Sequence, residues 1–188
     1  MTKIILLNLL FEERINMKYF LMIVLFSAVI FAQQNPLKTV KFVDLKKYAG
    51  LWYEYAKIPN SFQDQCVKGT TAKYILTEDG EIKVINSCID EDGEVDEADG
   101  LARIVDKKTN SKLEVSFFSI FGWRPIWGDY WVIGLDENYQ WAIVGTPSRK
   151  YGWVLSRTLT LDEMTKEKIF SILKEQGYNP KNFEISKQ

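Results

Sequence analysis

Residues 50–63 read GLWYEYAKIPNSFQ. The run from Leu51 to Ile58, closed by Pro59-Asn60, reads as a short strand. Side chains two apart on a strand share a face. The face that buries Trp52 therefore also receives the carboxylate of Glu54 and the methyl of Ala56. A solid sheet core is a poor place for that carboxylate, because a buried charge must be paired or hydrogen-bonded. A strand whose inner face lines a cavity can hold it.

The chain downstream supplies a sheet of the right kind. Further runs span Val67 to Thr77, Glu81 to Ile89, Leu113 to Phe118, Tyr130 to Leu135, Trp141 to Thr146 and Trp153 to Thr158, with another centred on Leu101 to Val105. Turn signals separate them: Glu78-Asp79-Gly80, Glu91-Asp92-Gly93 and Asp136-Glu137-Asn138 among others. The turn at Asp90, Asp92 and Gly93 imitates part of a calcium loop, but Cys88 holds the first-ligand position, so it reads as a solvated turn. Eight strands in a row, mostly at hairpin spacing, predict an all-β antiparallel meander that closes as a barrel or folds as a sandwich. The three-residue loop before Glu81 pairs Leu76 with Ile82, Tyr74 with Val84 and Ala72 with Asn86. One helix follows the strands. Thr160 and Glu163 have capping-box spacing, Leu161, Met164, Ile169, Ile172 and Leu173 form an apolar stripe, and Gly177 ends it. It is expected to pack outside the sheet. Asn182 to Ser186 can add a short strand.

Composition bounds the function. The 188 residues are 46% hydrophobic and 14% aromatic, enough for one compact domain with a substantial core. The net charge of −1 gives no electrostatic reason to expect nucleic acid. The absence of His removes His-based general bases, the usual catalytic triads and His-ligated zinc or haem. No cofactor and no metal is called for. Residues 1–32 read as an export signal: Lys18 precedes an apolar run from Tyr19 to Phe31, and Ala32 suits the last position before cleavage. Glu12 and Glu13 do not belong in such a signal, which points to Met17 as the true start. Residues 33–41 read as a linker and 42–188 as the domain.

Cys66 and Cys88 raise two opposed arguments. Export to an oxidising compartment favours a bridge. A regular hairpin leaves them roughly 13 Å apart, too far to bond. A bridge requires the chain to curl at Gly69. The bridge is carried as the expectation.

Three motifs in order resemble those of the lipocalins. Gly50-Leu51-Trp52 looks like the G-x-W of the first strand, Asp136 followed by Tyr139 looks like the second motif, and Arg157 in Leu155-Ser156-Arg157-Thr158 looks like the lone Arg of the third. The resemblance covers essentially residues 42–186 and is closest to bacterial lipocalins and apolipoprotein D. It implies an eight-stranded up-and-down barrel with one C-terminal helix packed outside. It also implies that Trp52 and Arg157 close one end of the barrel, as cation and ring. Many bacterial relatives carry a lipobox Cys. Here none precedes Cys66, so the expectation is a periplasmic or secreted protein without a lipid anchor.

Period 2 then assigns the interior. Glu54, Ala56, Ala72, Tyr74, Val84, Asn86, Ala102, Val115, Phe117, Tyr130, Val132, Ala142, Val144, Trp153 and Leu155 face in. Of these, Glu54, Ala56, Tyr74, Val84, Asn86, Phe117, Tyr130, Val132 and Trp153 are the candidate ligand-binding residues. Glu54 either faces a ligand group or water, or makes an internal hydrogen bond with Tyr130 or Asn86. The small residues leave room for a cavity. The expected partner is one small hydrophobic or amphiphilic ligand, which the resemblance suggests is a fatty acid, a lysophospholipid or similar, bound by a monomer or homodimer. The Phe121-Gly122-Trp123-Arg124-Pro125-Ile126-Trp127 segment reads as ordinary loop packing, with a rim for ligand passage or peripheral membrane contact as the alternative. An enzyme using Cys66 as nucleophile and a structural envelope protein are the rival classes.

Overall fold

The computed structural model describes residues 35–188. The export signal, the start at Met17 and the first two linker positions lie outside the described residues. Residues 36–188 form one unit.

Eight strands make a closed antiparallel barrel. They are β1 (Gly50–Lys57), β2 (Lys68–Leu76), β3 (Ile82–Ile89), β4 (Val95–Ile104), β5 (Lys112–Ser116), β6 (Gly128–Leu135), β7 (Trp141–Gly145) and β8 (Gly152–Ser156). Each pairs with the next, and β1 pairs with β2 through its first half and with β8 through its second. That double pairing leaves no free edge between first and last strand. A short helix α1 (Leu45–Tyr48) precedes the barrel, helix α2 (Glu163–Glu175) follows it, and β9 (Glu184–Ile185) adds to the end of β1.

The β2–β3 register is the expected one, with Leu76 opposite Ile82, Tyr74 opposite Val84 and Ala72 opposite Asn86. Gly80, at φ 83°, supplies the left-handed residue that this hairpin needs. Strand β4 is longer than its sequence suggested. Its first half, Val95-Asp96-Glu97-Ala98-Asp99, lacks apolar alternation and pairs with β3 through the backbone ladder, with an exposed Lys83–Asp99 ion pair at 3.9 Å across it.

Alternation sorts the apolar residues into two cores. The inner one includes Trp52, Tyr74, Val84, Val132, Val144 and Leu155. The outer one joins Ile133, Trp141, Ile143 and Val154 of the barrel wall to Ile169 and Leu173 of α2. Strand β7 is buried at every position because both faces are covered.

Three expectations are corrected. Asp162, not Thr160, caps α2, with its carboxylate accepting from the Thr165 N–H at 2.8 Å. Met164 is exposed, so the packed stripe runs through Ile169 and Leu173 without it. The stretch read as linker is anchored to the barrel at two points: Leu37 is buried and the Val40 N–H donates to the Val132 carbonyl at 2.9 Å. The helix does end at Gly177, at φ 78°, with the Gly177 and Tyr178 N–H groups closing on the Lys174 and Leu173 carbonyls.

Candidate functional site

The closed end of the barrel is built around Arg157. Its guanidinium carbon stands 3.7 Å from the centre of the Trp52 ring. Its nitrogens donate to the carbonyls of Lys47, Tyr48 and Ala49 at 2.8–3.1 Å, and to that of Leu51. Trp52 is wholly buried and its indole N–H donates to the Tyr48 carbonyl at 2.8 Å. Gly50 holds φ 98°, and a β-carbon there would sit 3.4 Å from the Arg157 guanidinium. The Asp136 carboxylate accepts from the Asn138 and Gln140 N–H groups, and the Tyr139 hydroxyl accepts from the Asp44 N–H at 2.8 Å. The second motif thus fastens the β6–β7 turn to the start of α1.

Above this plug lies a floor of tyrosines. The Tyr130 hydroxyl meets those of Tyr48 at 2.7 Å and Tyr74 at 2.8 Å. Burial pushes the Tyr74 phenol up to about 12 and raises those of Tyr48 and Tyr130 well above their ordinary value. All three stay neutral at any physiological pH. Tyr48, in α1, was not legible as a site residue because it precedes the strand pattern. Val132 lies among the residues beneath and beside this floor, which leave a void of only about 20 Å³.

Over the floor opens a cavity of about 660 Å³. Glu54, Tyr74, Val84, Asn86, Phe117, Tyr130 and Trp153 line it, as the alternation predicted. Ala56 does not. The β1–β8 register slips between Glu54 and Ala56, so Tyr55 is an extra residue and Ala56 turns out to the α2 side. Val132 is also displaced from the candidate set, being below the floor. Phe117 reaches the wall because Gly100 has no side chain: a β-carbon there would be 2.7 Å from its ring. The candidate set lacked Phe62, Gln63 and Tyr151, which come from segments with no period to read; Trp127 also lines the cavity, from the segment offered as an alternative rim for ligand passage.

Glu54 is 3% exposed. Its carboxylate accepts from Gln63 Nε2 at 2.8 Å and from the Ser186 hydroxyl at 2.6 Å, and stands 3.6 Å from the Lys57 ammonium. Neither Tyr130 nor Asn86 is its partner. Gln63 in turn accepts from the Trp153 indole N–H at 3.2 Å. Gln188 Nε2 donates to the Glu54 carbonyl at 2.6 Å.

Cys66 and Cys88 form a disulfide, with α-carbons 5.5 Å apart. The chain does curl at Gly69, which sits at φ 66° inside a bulge between Lys68 and Thr71. The Gly69 N–H, freed from the ladder, donates to the Lys187 carbonyl at 2.8 Å. The bridge consumes the thiol on which a Cys66 nucleophile would depend.

The mouth loop between β5 and β6 is not ordinarily packed. Ile120 and Trp123 form a two-bond bridge around Phe121 and Gly122, both at positive φ. That tight turn holds Phe121 fully exposed, with Trp123 and Ile126 also in solvent.

A closed eight-stranded barrel, an aromatic-and-arginine plug at one end and a roomy cavity above it define a barrel protein of the ligand-binding type. Residues 43–188 match the lipocalin-like domain family, and the chain belongs to the lipocalins. It is 39% identical over 147 residues to outer membrane lipoprotein Blc of Vibrio cholerae, covering 77% of this chain and 82% of that one. It is 36% identical over 150 residues to temperature-induced lipocalin-1 of Arabidopsis thaliana, covering 78% and 80%. With apolipoprotein D of Macaca fascicularis the identity is 34% over 152 residues, covering 77% of each. Among solved structures, insecticyanin of Manduca sexta superposes with TM-score 0.66 at 27% identity, covering 81% of this chain and 84% of that one. Lipocalins bind small hydrophobic ligands.

Proposed function

We propose that this protein is exported and binds one small apolar or amphiphilic molecule inside its barrel. The observation that carries the reading is the cavity: about 660 Å³, lined mostly by aromatic and aliphatic side chains with a few placed polar groups. The disulfide and the named outer membrane relatives support export. Trp153 on the wall gives a direct readout. Titration with an apolar amphiphile should change tryptophan fluorescence, and Trp153→Phe should reduce that change to the part contributed by Trp127, which also lines the wall. Native mass spectrometry before and after solvent extraction should show a released molecule. A protein that stays empty when offered apolar molecules would overturn the reading.

The exposed turn at Phe121 favours a second role for the mouth. It serves as a contact with lipid surfaces, since its apolar side chains run on from Phe117, Phe118 and Trp127 of the cavity wall. Co-sedimentation with phosphatidylcholine vesicles should weaken in Phe121→Ser. Equal sedimentation of both forms would remove this role.

A further inference from the structure

Two polar side chains on the cavity wall have no protein partner. Thr70, on β2, is in phase with Ala72 and Tyr74 and is 7% exposed. Asn86, on β3, is in phase with Val84 and Cys88. All six line the cavity. Neither the Thr70 hydroxyl nor the Asn86 amide hydrogen-bonds to another described residue. Among the described residues, no polar side-chain atom is both sealed in and unpartnered. Both groups therefore open on the cavity. Other polar groups of the lining are taken: Ser116 donates to the Phe118 carbonyl, Thr146 meets Ser148, and Gln65 donates to Asp96.

The register builds a niche around the pair. Asn86 stands opposite Ala72 on β2 and Ala98 on β4, whose short side chains leave its amide uncovered. Thr70 lies two residues from Ala72 and is thus the diagonal neighbour of Asn86, near enough for one small group to reach both. Asn86 is two residues toward the mouth from Val84, the partner of the floor residue Tyr74, a rise of roughly 7 Å. The niche sits partway up the wall, in a cavity otherwise lined by Val84, Val115, Val144 and Leu155 among others.

The amide and the hydroxyl each donate and accept, and neither is charged. A hydroxyl on a ligand has the same double capacity: it can accept from the Asn86 N–H or the Thr70 O–H and donate to the Asn86 carbonyl oxygen. A wholly apolar segment lying there would desolvate both groups and return no hydrogen bond.

We propose that Asn86 and Thr70 form a polar subsite for a neutral hydroxyl carried within the apolar body of the ligand, away from its head group. The inference rests on the ligand-binding reading above and narrows it to hydroxylated apolar molecules.

The test compares stearate with hydroxystearate bearing its hydroxyl at mid-chain, so that head group and chain length are held constant. Binding is followed by tryptophan fluorescence and by calorimetry. Hydroxystearate should bind roughly tenfold or more tighter than stearate. Thr70→Val and Asn86→Leu keep the side-chain volume and remove the polar groups. Each should shrink the preference, and the double variant should reverse it by strengthening stearate. Both variants should fold with an unchanged or higher thermal midpoint, because neither polar group has a protein partner to lose; a lowered midpoint would assign them to the fold and overturn the subsite. Equal binding of the two acids by the unaltered protein, or a preference that survives in the double variant, would also overturn the subsite while leaving the cavity reading intact. Failure of both acids to bind would overturn the cavity reading itself.

Discussion

Arg157 shows how one side chain can close a barrel. Its ring contact and its four carbonyl acceptors lie on one continuous stretch, Lys47 to Trp52, where the chain turns from α1 into β1. Arg157→Ala removes all of them and leaves carbonyls at the plug without donors. The expected loss is about 2–4 kcal/mol, read as a lowered thermal midpoint. Arg157→Lys should recover little, because a point charge cannot serve that fan of acceptors. The tyrosine floor makes a second prediction. Its phenols have folded-state values raised above the ordinary value near 10, about 12 for Tyr74. Their contribution is fully present below pH ~10 and is lost as pH rises through ~12, since only the unfolded chain ionises freely between those values. Phenolate absorbance near pH ~11 should therefore fall short of that of the urea-unfolded chain. Equal absorbance would show the floor to be open to water. At this scale Gly50, Trp52, Asp136, Tyr139 and Arg157 were legible through the resemblance of their motifs, in order, to those of the lipocalins. The partners of Glu54 could not, because Ser186 lies 132 positions away and no local pattern connects them.

At the scale of elements, alternation located the strands and their inner faces, but it missed the polar first half of β4 and failed at a bulge in β1. One extra residue between Glu54 and Ala56 reverses the faces of β1 from there on, and period 2 carries no signal of it. A second bulge resolves the cysteines. With Gly69 in a left-handed conformation, β2 gains a residue over β3, and Cys66 swings back toward Cys88. Replacing both cysteines by Ser should lower stability by about 2–4 kcal/mol, as measured by urea midpoint, since the bridge closes a loop of 22 residues. Gly69→Val should slow formation of the bridge, because a β-branched residue resists that backbone conformation; thiol titration during refolding measures it. The short β9 strand carries more than its size suggests. Deleting residues 184–188 removes Ser186 from the Glu54 carboxylate, Gln188 from its carbonyl and Lys187 from the Gly69 N–H. Stability should drop by about 1–3 kcal/mol, and Trp153 fluorescence should shift as Gln63 is released.

At the scale of the molecule, the barrel is plugged below by Arg157 and Trp52, floored by three tyrosines and left open above, where β5 and β6 hold Phe121 in solvent. Strand count and turn spacing narrowed the fold to a barrel or a sandwich with one helix outside; the resemblance of the three motifs to those of the lipocalins implied the closed barrel and its Arg157–Trp52 plug. The mouth was not legible, since a loop's exposure depends on backbone turns that residue types only suggest. The seam where β1 meets β8 and β9 bears on the order of assembly. A chain emerging from its N-terminus presents Glu54 long before Leu155, Ser186 or Gln188 exist to meet it. Hairpins β2–β3 and β3–β4 can form early, from neighbours in sequence, whereas ring closure waits for contacts of the greatest separation. The wall of the cavity is thus the final piece to set. Cargo present at that moment can be wrapped by the closing seam instead of threading the mouth, so refolding with and without a ligand should differ in its slowest phase.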